Sequence, residues 1–187
     1  MMTLSDMKKK VLSLIEEIDE KNPALTGDPD IAEKLNYVIN QVQYELSRVK
    51  KIPDYIELEV QEKDIVKFED IKAVAGYDVY QLDIARGLEY EYKCQGKMIK
   101  CLEAGTLEIE YFRYPKRIDK KTPDTYEFEL SDDVLEVMPY GVAADLTKTD
   151  PSTNYGQIFA VRYENMKNQL DVRYNTGSIR IEGGINV

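Results

Sequence analysis

Apolar residues open the chain at Leu4, Met7, Val11, Leu14, Ile15 and Ile18. Spacing of three and four keeps them within an arc of about 100°, the width of a core-facing stripe, and predicts a helix over 4–20. Thr3, with Asp6 three residues on, makes a capping-box-like start. The run NPALTGDPD breaks the pattern. Asp28 then suits an N-cap, and Pro29 suits a first helical position, where its missing N–H costs nothing. Ile31, Leu35, Val38, Val42, Leu46 and Val49 predict a second helix over 29–50.

From about 56 to 130 the period becomes two. IELEV (56–60), LEYEYKC (88–94), KMIKC (97–101), LEIEYFRY (107–114) and YEFEL (126–130) alternate apolar with charged residues. This describes strands buried on one face, hence antiparallel pairing. Gln95-Gly96 is a plausible tight turn, placing residue 101 opposite residue 90. The segment PKRIDKKTPD (115–124) reads as a polar, basic loop. Helical spacing then returns. Ser131 caps a helix over 132–148 with the stripe Val134, Leu135, Met138, Val142 and Leu146, interrupted by Pro139. A last helix over 153–171 places Tyr155, Ile158, Phe159, Met166 and Leu170 on one side. Beyond Gly177, SIRIE alternates like a strand.

The order predicts an α+β protein: a small four-helix bundle with a β-rich, antiparallel insertion and an extended C-terminal tail. Residues 1–55 form the N-terminal helical hairpin, 56–130 the insertion, 131–173 the C-terminal helix pair and 174–187 the tail. The expected core contains Leu14, Ile18, Leu35, Val38, Val42, Val142, Leu146 and Phe159.

Composition narrows the chemistry. The 187 residues carry 35 acidic and 25 basic side chains, a formal charge of -10. The excess is spread along the chain, the opposite of what wraps a phosphate backbone. Histidine is absent, which excludes imidazole-based triads, His acid–base chemistry and the commonest zinc-ligand sets. Nothing reads as a phosphate loop, a nucleophile elbow or a calcium loop. The start MMTLSDMKKKVLSLIEE has no continuous apolar stretch of signal-peptide type, and no segment is expected to span a membrane.

Individual candidates divide between structure and function. Asp28 and Asp30, and Asp132 and Asp133, fit helix starts better than a catalytic pair. Cys94 and Cys101 would lie roughly 13 Å apart along their strands, too far for a disulfide. Arg113, Lys116 and Arg117 belong to a basic run interleaved with Tyr111, Phe112 and Tyr114. Such a run suits nucleic acid, a structural role or a subunit interface. Arg162 falls inside an apolar stripe, where it either lays its stem on the core or forms an interface ion pair. Residues Ser178–Glu182 can add to the protein's own sheet or to a partner's edge, with Ile179, Ile181 and Ile185 as apolar anchors.

Three stretches, DPDIAEKLNYVINQVQYEL (28–46), ELSDDVLEVMPYGVAADLTKTDPS (129–152) and IFAVRYENMKNQLDVRYNTGSIRIEGG (158–184), together with the order of elements, resemble the head-tail connector (adaptor) proteins of tailed phages. The resemblance implies a structural virion protein of the bacteriophage neck, made in the bacterial host cytoplasm, with no catalytic activity, cofactor or metal. It implies a homo-oligomeric ring of about twelve copies, closed through heterologous contacts. Double-stranded DNA would pass through its channel without sequence-specific binding. The portal protein above and a neck or tail protein below would be its partners. Ser178, Ile179, Arg180, Ile181, Glu182 and Ile185 would dock on the portal; Arg162, Arg113, Lys116 and Arg117 are candidates for the subunit interface. The alternative from a different class is a cytoplasmic carboxylate-based enzyme or carbohydrate-binding module, which requires two carboxyls converging in a pocket.

Overall fold

Helix α1 (Leu4–Leu14) begins with the expected capping box. The Asp6 N–H donates to the Thr3 hydroxyl and the Thr3 N–H donates back to the Asp6 carboxylate, each at 3.2 Å. Helix α2 (Pro29–Val49) starts on Asp28, whose carboxylate accepts from the N–H groups of Asp30 and Ile31. These belong to a computed structural model that describes residues 2–19, 21–93, 97–148 and 154–170.

Helix α1 is shorter than its stripe suggests. Glu16 takes φ of 61°, and the Glu17 N–H closes back onto the Leu12 carbonyl at 3.0 Å. This left-handed exit ends the helix, so Ile18 leaves the stripe and is 41% exposed rather than part of the core.

Helix α4 (Asp132–Thr147) is the hub of the helical half. Val134, Leu135, Val137, Met138, Val142 and Ala143 are all buried. Helices α1, α2 and α5 (Tyr155–Lys167) each pack on it. Gly141 permits the closest approach: a Cβ there would meet the Tyr163 ring of α5 at 2.7 Å. Phe159, Met166 and Leu170 flank that contact, while Ile158 faces away from it.

The central segment builds its own core. Strands β1 (Ile52–Val60), β6 (Gly105–Arg113) and β3 (Val79–Arg86) form one antiparallel sheet in the order β1-β6-β3. Strands β2 (Ile65–Lys67), β5 (Met98–Cys101) and β4 (Tyr90–Lys93) form a second, in the order β2-β5-β4. A short helix, α3 (Phe68–Ala75), follows β2 and stops at Gly76 with φ of 79°. Leu107, Ile109 and Tyr111 of β6 pack with Ile99 and Cys101 of β5 and with Phe68 and Ile71 of α3.

The expected small four-helix bundle with a β-rich insertion is therefore corrected. Among the described residues the fold is α+β with five helices and two antiparallel sheets. Helices α1, α2 and α5 converge on α4, and the sheets, with a helix of their own, bury a separate apolar cluster. YEFEL (126–130) is not a strand either. Glu127 makes a single bridge to Thr3, and Phe128 and Leu130 anchor the segment in the helical core. The β4–β5 pairing keeps the expected register, Tyr90 opposite Cys101. The turn itself, Cys94 and the tail lie outside the described residues.

An aromatic seam joins the two halves. The Tyr114 ring lies 5.0 Å from Tyr44 of α2 and 4.8 Å from Tyr80 of β3, and its hydroxyl accepts from Arg48. The Tyr80 hydroxyl donates to the Ser47 carbonyl at 2.9 Å.

Candidate functional site

After β6 the chain runs back along α2 as the basic loop 115–124. Asn40, buried in α2, fixes it: the side-chain amide donates to the Ile118 carbonyl at 2.7 Å, and Oδ1 accepts from the Ile118 N–H at 2.9 Å. Gln43, one turn further on, donates to the Lys116 carbonyl at 3.2 Å. Ile118 is thereby seated in the helical core. Asp119 closes the far end, accepting from the Lys121 N–H at 2.7 Å and the Thr122 hydroxyl at 3.1 Å. Those two hydrogen bonds hold its carboxyl below the ordinary range.

The consequence is a loop fixed to α2 at Lys116 and Ile118 with its cations exposed. Lys116, Arg117, Lys120 and Lys121 are exposed, and among the described residues none of them forms an ion pair. Arg117 and Lys120 rim a cleft of about 690 Å³ against α2, with Asn36 and the exposed Tyr37 on its other wall.

The outer face of the β1-β6-β3 sheet has the opposite sign. Glu57 and Glu59 of β1 are exposed, and Glu57 pairs across the strands with Glu108; Tyr55 pairs with Glu110. Like charges directly opposite each other are unfavourable in a sheet. Arg86 of β3 is the guanidinium among them, reaching Glu108 and Glu110. Local hydroxyls take up part of the load. The Tyr55 hydroxyl donates to Glu57 at 2.7 Å and the Thr106 hydroxyl to Glu59 at 2.6 Å. The bond to Glu57 and partial burial push the Tyr55 hydroxyl up to about 12.

Arg113 is engaged inside the chain. Its side chain is 13% exposed, with Nε 2.8 Å from Asp54, Nη1 on Glu129, and the guanidinium 3.7 Å above the Tyr77 ring. It ties β1, β6 and the segment before α4 together. Arg162 lies exposed on α5 with its guanidinium 4.4 Å over the Tyr140 ring of α4. Nearby on the outer side of α5, Ile158 and Val161 are 56% and 57% exposed, one turn apart. Sequence reasoning missed Asn40 and Gln43 as loop anchors. Both lie on the face of α2 opposite its apolar stripe, where the sequence predicts solvated side chains, but the loop covers that face and buries them.

The shallow cleft lined by Asp54, Asp83 and Glu110 gathers carboxylates, but Asp54 is engaged by Arg113 and Glu110 by Arg86. No group of three or more metal-ligating side chains is assembled among the described residues. Within the same residues no helix is long and apolar enough to cross a membrane. Residues Ser178–Glu182 and Ile185 lie outside the described part.

No family model matches the chain, and no curated protein matches it.

Proposed function

We propose that the chain is a structural virion protein, the head-tail connector that forms a ring below the portal and surrounds the DNA channel. One observation carries this reading. The first stretch that resembles connectors lies more than 80 residues before the other two, yet their described parts fall on α2, α4 and α5, and these helices share one core centred on α4. The resemblance therefore follows one packed unit. That unit turns outward the kinds of surface a ring subunit needs, namely exposed Ile158 and Val161 on α5 and the clamped basic loop. Lys116, Arg117 and Arg162 are the candidates for subunit contact, whereas Arg113 already has partners within the chain. Portal docking is assigned to Ser178–Glu182 and Ile185 on the alternation of that segment, which suits addition to a sheet edge.

The test is co-sedimentation of the full chain with the purified portal ring from the same genome. Wild type should travel with the portal, and deletion of residues 176–187 should abolish this while leaving the melting temperature nearly unchanged. Retained co-sedimentation after the deletion, or a wild-type chain that never binds the portal, would overturn the assignment.

A further inference from the structure

The basic loop and the acidic sheet face lie at opposite ends of one paired run of chain. Glu57 stands opposite Glu108, Ile52 opposite Arg113, Arg48 against Tyr114, Gln43 against Lys116 and Asn40 against Ile118. The nearest members, Glu110 and Lys116, are six residues apart, at most about 20 Å along an extended chain. That exceeds the Debye length of about 8 Å at physiological ionic strength. The patches therefore attract each other only weakly within one molecule.

Each patch is also incomplete alone. Lys116, Arg117, Lys120 and Lys121 are held outward by the Asn40 clamp, and Asp119, the acid among them, is turned onto Thr122 and the Lys121 backbone. On the sheet, Glu57, Glu59, Glu108 and Glu110 face the single guanidinium of Arg86, with a like-charged cross-strand pair at Glu57 and Glu108. The loop sets four cations against Asp119 and the neighbouring Glu33 of α2, and the sheet face sets four carboxylates against Arg86.

We infer that the partner of each surface is the other surface on a second copy of this chain: the 116–121 loop of one molecule docks on the Glu57–Glu59–Glu108–Glu110 face of the next. The occupant follows from charge complementarity. A second copy supplies the missing sign at both ends, whereas a polyanion such as DNA would cover the loop and leave the acidic sheet face without a partner. Because the two patches are different, the contact is heterologous. Repeated head to tail, it generates a ring or a filament, not a closed two-fold dimer. The inference deepens the connector reading by naming the subunit contact, and rests on it only for closure into a ring.

Two charge-reversed chains test it. The loop variant carries Lys116→Glu, Arg117→Glu, Lys120→Glu and Lys121→Glu. The sheet variant carries Glu57→Lys and Glu59→Lys, leaving the Arg86 pairs in place. Sedimentation velocity at about 50 mM and about 500 mM salt reads assembly. Wild type should assemble at low salt, with apparent affinity falling by roughly tenfold or more at high salt. Each variant should remain monomeric alone, and an equal mixture of the two should assemble again, because the mixture restores one native contact and creates one exchanged contact. Glutamine substitutions at the same positions replace either variant if circular dichroism shows it unfolded; their mixture restores only the native contact, so it should stop at dimers, and monomers alone then count as failure to reassemble.

A wild type that stays monomeric at both salts, a variant that assembles as wild type does, or a mixture that fails to reassemble overturns the inference. So does a loop variant that assembles normally but loses binding to a labelled DNA duplex, which would assign the loop to nucleic acid. Charge-dependent assembly without portal binding would sink the connector reading alone. Portal binding with charge-independent assembly would sink this contact alone.

Discussion

The side chain of Asn40 replaces a backbone partner for Ile118, accepting from its N–H at 2.9 Å and donating to its carbonyl at 2.7 Å. With Gln43 on the Lys116 carbonyl, it pins an otherwise polar loop to the helical core. Asn40→Ala removes both bonds and strands two buried backbone groups, an expected loss of about 2–3 kcal/mol in urea unfolding. Asn40→Asp keeps the acceptor but sets a carboxylate against the Ile118 carbonyl, so it should be at least as damaging. If Asn40→Ala unfolds at the wild-type midpoint, the loop is not anchored there.

Arg113 makes a second, ionic clasp. Burial opposes its charge, but the hydrogen bond to Glu129 and the attraction of Glu129, Tyr77 and Asp54 outweigh that. Arg113→Ala leaves two partly exposed acidic side chains without their counter-ion and should cost about 1–3 kcal/mol. Arg113→Lys keeps the charge but cannot reach Asp54 and Glu129 with a fork, so it should recover only part of the loss. Equal stability of the Lys variant and wild type, by chemical denaturation, would show that the forked geometry is unimportant.

Gly87 closes the β3–β4 connection with φ of 97°, and a Cβ at that position would lie 2.4 Å from the Thr106 carbonyl oxygen. Gly87→Ala therefore meets both a disfavoured backbone conformation and a backbone clash. The expected destabilisation is about 2 kcal/mol or more. A calorimetric melt indistinguishable from wild type would mean that β3 and β6 can separate without cost.

Much of this architecture is legible in the residues, though unevenly. The caps at Thr3–Asp6 and Asp28–Pro29 and the β4–β5 register follow from local chemistry, and the structure realises them. Helix α3 escapes notice because its eight residues bury only Phe68 and Ile71, too few for a periodic signal. Strand β3 escapes because irregularities between Val79 and Gln81 and between Leu82 and Ile84 break its alternation. The Arg113 clasp joins positions 59 and 16 residues away, and no spacing rule connects these. The early end of α1 depends on Glu16 adopting a conformation usually left to glycine.

Acid should weaken the fold through three carboxyls. Asp6, Asp119 and Asp133 are each held below their ordinary value of 3.8. Hydrogen bonds from Thr3 act on Asp6, and those from Lys121 and Thr122 on Asp119. At Asp133 burial opposes the shift, but bonds from Lys50 and Ser131 prevail. A carboxyl with a depressed folded pKa binds fewer protons in the folded state. Its contribution is therefore present above about pH 4 and lost as pH falls through the folded value. The urea midpoint should decline below about pH 4, less steeply in Asp133→Asn. A midpoint that rises on acidification would contradict this.

Cryo-electron microscopy of the full chain mixed with the purified portal ring from the same genome tests the connector assignment most directly. The expected result is a ring of about twelve copies beneath the portal, with an open channel on its axis and 116–121 of each copy against the acidic sheet face of the next. Portal rings bare of this chain, beside free monomers, would contradict it.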